Sequence, residues 1–254
     1  MGKIIAIVNQ KGGVAKTTTA VNLAAALGER GKKALLADLD PQGNATSGLG
    51  VDRRSIKHCV YDVLINDAPP EAVIIKTGFR NLSLLPATIQ LAGAEVELVS
   101  AIARENKLRR ALRPLTPFYD FIIIDCPPSL GLLTINALSC ADQLLIPLQC
   151  EYYALEGLSQ LLSTYQLVQG NLNPKLSIEG VVLTMYDGRT NLSAQVAEEA
   201  RGYFGDKVYD TVISRSVRLS EAPSHGVPGI FYDQKSKGAE EYQAFAEEFL
   251  AKQV

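Results

Sequence analysis

Short runs of isoleucine, valine and leucine recur at residues 3–9, 34–38, 82–86, 121–125, 143–148, 180–185 and 208–213. Between most of them the apolar positions fall three and four apart, over 16–30, 89–99, 101–114, 153–170, 193–204 and 238–252. The first pattern predicts strands buried on both faces, because a strand with one wet face alternates apolar and polar residues. The second predicts helices with one apolar side. Strands alternating with helices make an α/β fold, a mostly parallel twisted sheet with helices on both faces. Ligands on such sheets bind beyond the carboxyl ends of the strands. The loop at 10–15, the Asp38–Asp40 segment and Asp125 all follow strand ends, so they are expected along one edge.

Composition narrows the picture. The 254 residues contain no Pro/Ser-rich linker, low-complexity run or fixed repeat, so one domain over 1–254 is expected. A formal charge of −2 argues against a uniformly basic nucleic-acid binder and leaves room only for a local basic patch. No stretch reaches the roughly 18 apolar residues of a membrane span. The first strand starts at Lys3, so no secretory leader is expected. Cys59, Cys126, Cys140 and Cys150 form no C-x-x-C pair, and the last three lie in apolar surroundings, as buried thiols of a reducing cytoplasm do.

The chemistry concentrates after the first strand, in KGGVAKTTT at 11–19. A strand, a glycine-containing loop and a helix opening with Lys16-Thr17-Thr18 form a phosphate-binding loop. Backbone N–H groups converge on an anion there, and the lysine adds a point charge. Gly12 and Gly13 let the backbone approach phosphates closely. Lys16 suits the β- and γ-phosphates, the Thr17 hydroxyl suits Mg²⁺, and Thr18 suits the α-phosphate. Lys11, ahead of the glycines, is a second lysine that an ordinary loop lacks, which points to a second phosphate contact and a nucleotide-driven switch. Ala15 stands where most such loops carry glycine, and it is costly if its φ must be positive. Asp125 ends the apolar strand FIIID, where a carboxylate holds a water on Mg²⁺. Asp38 and Asp40 follow the second strand, and either could orient water or reach Mg²⁺ through water.

The two-lysine loop resembles the deviant Walker A loop of the ParA/MinD ATPases. LLADLDPQGNATSGLG (35–50), FIIIDCPPSLGLLTINAL (121–138), EYYALEGLSQLL (151–162), LTMYDGRTNL (183–192) and VRLSEAPSHG (217–226) resemble segments of the small chromosome-partitioning ParA proteins of the Soj type, in their order. The resemblance implies a P-loop fold, ATP and Mg²⁺ as cofactors, and slow ATP hydrolysis. It places nucleotide contacts on Lys11, Gly12, Gly13, Val14, Ala15, Lys16, Thr17 and Thr18. Catalytic roles fall on Lys11, Lys16 and Asp40: Lys11 crosses a dimer interface to the partner's phosphates, and Asp40 positions water and touches Mg²⁺ through water. Adenine is expected against Met185 and Ser214, although Ser214-Arg215-Ser216 stands where the family usually reads Pro-Arg-Asn.

Arg189 and Arg218 match the family's positions for non-specific DNA binding, with Arg215, Lys235 and Lys237 extending the patch and Val227 standing where several relatives carry lysine. The implied partners are a second copy, DNA and a ParB-type protein, and the implied location is the nucleoid. Two other readings are a MinD-like membrane-cycling ATPase and a scaffold that scarcely hydrolyses ATP. The first needs a basic amphipathic C-terminus, whereas EEYQAFAEEFLAKQV is acidic, with Lys252 its only basic residue, so no membrane contact is expected.

Overall fold

The computed structural model describes residues 2–151 and 154–253. The strands are β1 (Lys3–Ile7), β2 (Ala34–Asp38), β3 (Ile75–Lys76), β4 (Leu82–Leu85), β5 (Phe121–Asp125), β6 (Gln143–Gln149), β7 (Ser177–Tyr186) and β8 (Val208–Ser214). They form one sheet in the order β3-β4-β2-β5-β1-β6-β7-β8. Every neighbouring pair is parallel except β3 with β4. Each of the seven predicted runs is a strand, and only the two-residue β3 was not anticipated.

The helices run α1 (Lys16–Glu29), α2 (Asn44–Gly48), α3 (Val60–Ile65), α4 (Pro70–Val73), α5 (Leu91–Glu97) and α6 (Lys107–Leu112). They continue as α7 (Leu132–Cys140), α8 (Ala154–Asn171), α9 (Asn191–Phe204), α10 (Val217–Glu221), α11 (Gly229–Tyr232) and α12 (Lys237–Ala251). The expected start of the fourth helical pattern, residue 153, lies outside the described residues.

Alternate residues of β1 feed two cores. Ile4 and Ala6, with Val8 just past the strand, meet the layer that holds α3, α5, α6, α7, α8 and α9. Ile5 and Ile7 meet α1 and α12, through Leu23, Leu27, Tyr242, Phe245 and Phe249. Both faces are covered, which is why the strands read as unbroken apolar runs. In α12, Gly238, Ala239, Tyr242, Phe245, Ala246 and Phe249 are all buried. The C-terminal helix therefore spends its apolar side on the domain. No helix among the described residues is long and apolar enough to cross a membrane.

The short helices α2, α3, α4, α10 and α11 fall outside the expected ranges, and two further segments depart from the pattern. LLTINALSC gives no amphipathic signal, yet it forms α7, because nearly all of it is buried between the sheet and α6. Its Asn136 is satisfied there, donating to the Arg104 carbonyl at 2.9 Å and accepting from the Leu108 N–H at 3.2 Å. The single helix expected over 101–114 is interrupted, with Ala103 at φ 51° and a 3-10 turn at Arg113–Leu115 that holds Pro114.

Parallel pairing sets Ile7 and Asp38 both level with Asp125. The strand ends that precede the phosphate loop, the Asp40 segment and the Cys126–Leu130 loop are thereby brought to one line.

Candidate nucleotide site

The loop between β1 and α1 is braced before it turns. Asn9 is buried, donates to the Pro147 carbonyl at 2.8 Å and accepts the Lys11 N–H at 3.0 Å. Val14 is buried and its carbonyl accepts the Thr184 hydroxyl at 3.1 Å. Gly13 adopts φ 76°, a conformation glycine reaches freely. Ala15 adopts φ 66°, ψ 29°, so the position does require the left-handed conformation and alanine carries its cost. The first helical bond runs from the Thr19 N–H to the Ala15 carbonyl at 2.8 Å. The N–H groups ahead of it have no partner within the helix, and they face an anion site at the positive end of the dipole.

A cavity of about 410 Å³ opens over this helix start, lined by Gly12, Gly13, Ala15, Lys16, Thr17, Thr18, Asp40, Pro128 and Met185 among others. Lys16 is buried and its ammonium donates to the Lys11 carbonyl at 3.0 Å. Burial lowers its pKa, with Asp125 and Asp40 pulling the other way. Asp125 is fully buried and neither of its oxygens has a hydrogen-bond partner among the described residues. Burial first, and then the neighbouring Asp38, raise its pKa well above the carboxylate range, while nearby Thr17 opposes them. Such an orphaned carboxylate is costly in a finished interior, so it marks a place for a cation or its waters.

The structure gives the two aspartates different surroundings. Asp38 is fully buried and its carboxylate accepts the Thr46 N–H at 2.8 Å, the Thr46 hydroxyl at 2.7 Å and the Asp40 N–H at 3.1 Å. Burial pushes its pKa up to about 6 against those bonds. It anchors the segment that presents Asp40. Asp40 lines the cavity and accepts only the Gln42 N–H, at 2.9 Å, among the hydrogen bonds to its carboxylate in the described residues. Thr17, Asp40 and Asp125 make an all-oxygen set of the kind Mg²⁺ prefers. No three His, Cys, Asp or Glu among the described residues cluster tightly enough to ligate a metal alone.

A second cavity, about 90 Å³, adjoins the first through Ala15, Thr18 and Met185 and continues along Ile213, Ser214 and Arg215. This is where adenine was expected. The Ser214 hydroxyl and N–H are already engaged by Glu241 of α12, at 2.6 and 2.7 Å, so Ser214 offers this cavity a wall rather than those donors.

Other expected residues are paired within the chain. Lys11 lies 3.3 Å from Glu151, which also meets Arg215 at 3.3 Å and accepts from Gln149 at 2.6 Å. Arg189 is highly exposed but held by both oxygens of Asp187, at 2.9 and 2.8 Å. Arg218 meets Glu221 at 3.0 Å and Asp233 at 3.3 Å. Lys237 meets Glu241 at 3.6 Å. The sequence reading missed Asn9, Thr46, Glu151 and Glu241. Only Asn9, a polar residue directly after the first strand, carried a signal that could have found it.

Comparison with known proteins settles the lineage. The AAA domain family matches residues 2–178. The sporulation initiation inhibitor protein Soj of Bacillus subtilis is 64% identical over 251 residues, covering 99% of each chain. The chain belongs to the Soj/ParA family. A chromosome partitioning protein ParA of Myxococcus xanthus is 58% identical over 250 residues, covering 98% of this chain and 88% of that protein. Among solved structures, one described as cobyrinic acid a,c-diamide synthase of Mycobacterium smegmatis with bound ADP and magnesium superposes with a TM-score of 0.86 at 42% identity, covering 98% of this chain and 94% of that one. This Soj/ParA family member therefore shares its fold with a structure solved with bound ADP and magnesium.

Proposed function

We propose that this chain is a chromosome- or plasmid-partitioning ATPase that uses ATP and Mg²⁺. The observation that carries the reading is the cavity lined by Gly12, Gly13, Lys16, Thr17, Thr18 and Asp40, with the buried Asp125 near enough to act on the Lys16 charge. Lys16 and the N–H groups of the helix start hold the β- and γ-phosphates, and Thr18 holds the α-phosphate. Thr17, with Asp125 and Asp40 acting through water, holds Mg²⁺, which when bound offsets phosphate charge. Asp40 orients the attacking water. Met185 and Ser214 flank the base.

Lys11 serves in trans. Leaving Glu151, it reaches the phosphates of a second copy, as a cation supplied across an interface does for a transferring phosphoryl group. The ATP-bound dimer then presents Arg189 and Arg218 twice to one duplex, giving sequence-independent affinity on the nucleoid. A ParB-type partner stimulates hydrolysis and release. Turnover is slow, and the strained Ala15 contributes to that.

The packed α12 speaks against a membrane-cycling role, because its apolar face is already buried. Amide synthesis from glutamine, suggested by the name of the Mycobacterium protein, would call for an accessible thiol to release ammonia. All four cysteines here are buried.

The test is calorimetry of ATP–Mg²⁺ binding together with DNA binding, with and without ATP. Lys16→Ala should abolish nucleotide binding, and Lys11→Ala should lose ATP-dependent dimerisation and, with it, DNA binding. Unchanged ATP affinity in Lys16→Ala would remove the loop as the site. Equal DNA binding with and without ATP would remove the switch.

A further inference from the structure

The base cavity offers a ligand few free polar groups. Besides Thr18 of the phosphate loop, its polar lining is Ser214, Arg215, Ser216, Ser220 and Tyr242. Tyr242 is fully buried and shares its hydroxyl with Thr19 at 3.0 Å. Ser216 caps α10, its hydroxyl accepting the Leu219 N–H at 3.4 Å. The exposed Ser220 donates its hydroxyl proton to the Ser216 carbonyl at 3.2 Å. Arg215 is exposed, meets Glu151 and can only donate. Ser214 is held differently. One carboxylate takes both its N–H and its hydroxyl, through the two oxygens of Glu241 at 2.7 and 2.6 Å. Glu241 reaches it from α12 and is only 13% exposed, so water competes little for that bond.

A hydroxyl carries one proton and two lone pairs, and a carboxylate has no proton to give. The bond to Glu241 therefore fixes the Ser214 hydroxyl as its donor. Whatever enters the cavity meets the Ser214 oxygen as an acceptor. The next residue, Arg215, presents only donors. An acceptor beside a donor complements adenine, whose C6 amino donor stands beside the N7 acceptor. Guanine and hypoxanthine carry a carbonyl at C6, which would set oxygen against the Ser214 oxygen and leave both without a proton between them. Proline, the residue the family usually has at this position, has no hydroxyl to fix, so the arrangement belongs to this chain's own residues.

We propose that Ser214 selects the base by its C6 amino group, and that Glu241 is the positioning residue that keeps Ser214 an acceptor. This selection presupposes the nucleotide reading above and adds which group of the base is read, and by what. Ser214 is only half-buried, so the contact is an ordinary neutral hydrogen bond, and the preference it confers is about fivefold. Removing the Glu241 charge while keeping a hydrogen-bonding group of the same shape changes the sign of the preference. The amide of Glu241→Gln can donate to the Ser214 oxygen, which frees the hydroxyl proton for a carbonyl on the base.

The test is calorimetry of the full chain with Mg²⁺ and three diphosphates: ADP, inosine diphosphate, and purine riboside diphosphate, which has only hydrogen at C6. Diphosphates avoid turnover during the titration. The parent should bind ADP about fivefold more tightly than purine riboside diphosphate, and inosine diphosphate more weakly than either. Ser214→Ala should bring ADP down to the level of purine riboside diphosphate and leave the latter unchanged. Ser214→Thr, which keeps the hydroxyl, should keep the preference. Glu241→Gln should weaken ADP and strengthen inosine diphosphate, a crossing that a merely structural role for Glu241 does not produce. Circular dichroism checks that each variant is folded, and Ser214→Ala carries the test alone if Glu241→Gln is not. Equal affinity of the parent for ADP and purine riboside diphosphate, or an ADP preference that survives Ser214→Ala, would overturn the role of Ser214. An equal loss for all three ligands in folded Glu241→Gln would overturn that of Glu241. Failure of the parent to bind any of the three would instead sink the nucleotide site itself.

Discussion

Ala15→Gly should stabilise the free protein and raise its ATP turnover. The backbone at Ala15 has φ 66°, ψ 29°, well inside the left-handed region. There the Cβ of an L-residue crowds the following carbonyl, at a cost of about 1–2 kcal/mol that glycine does not incur. Glycine brings its own penalty, because it enlarges the freedom of the unfolded chain by about 0.4–1 kcal/mol. The difference leaves a net gain of about 0.5–1 kcal/mol, a factor of roughly two to five in the folded-to-unfolded ratio. Urea unfolding of parent and variant without nucleotide, at one protein concentration, reads this directly. Ala15→Val should move the opposite way, since a β-branched side chain tolerates positive φ worse than alanine does. Turnover follows from position: Ala15 lines both the phosphate and the base cavity, as Thr18 does. Removing its methyl group frees the loop to close on phosphate. A glycine variant no more stable than the parent would show that the loop bears no strain, and an unchanged rate would detach Ala15 from catalysis.

Asp40→Ala should still bind ATP yet hydrolyse it very slowly and accumulate as an ATP-bound dimer in sedimentation; parental turnover would move the water-positioning role elsewhere. DNA affinity should fall with salt at a log–log slope near −4, about −0.9 for each of the arginines that a dimer contributes. Arg218→Ala should flatten that slope and weaken binding alike on unrelated sequences, with ATP binding intact, and salt-insensitive binding would refute the arginine patch. Hydrogen bonds from Arg189 hold the Asp187 carboxyl down at about 2, so this pair's contribution is present above the ordinary carboxylate range and is lost as pH falls toward 2. Arg189→Ala should return the Asp187 titration, followed by NMR, toward the usual range; no change would mean the pair does not persist in solution.

Much of this protein was legible in one dimension. Parallel strands covered on both faces have to be apolar at every position, so β1, β5 and β6 announce themselves without any knowledge of their neighbours. A phosphate loop is contiguous, so Lys11 through Thr18 could be read from one short stretch. The C-terminal helix declared its packed face by its spacing, and Tyr242, Phe245 and Phe249 are where that spacing puts them. What the sequence could not decide is whatever depends on residues distant along the chain or on backbone angle. LLTINALSC hid α7 because burial on every side erases the amphipathic signal. Asp38 and Asp40 look alike until Thr46 folds back to occupy one of them. Arg189 and Arg218 read as free cations, and only the folded chain sets Asp187, Glu221 and Asp233 beside them. Whether Ala15 is strained is a question of φ, and φ is fixed there because the Pro147 carbonyl, through Asn9, and Thr184 pin the loop from strands that lie far from it in sequence. Local pattern determined the elements and the chemistry of the loop; the partners of each charged group were chosen by tertiary packing, since that is what brings their counter-charges into reach.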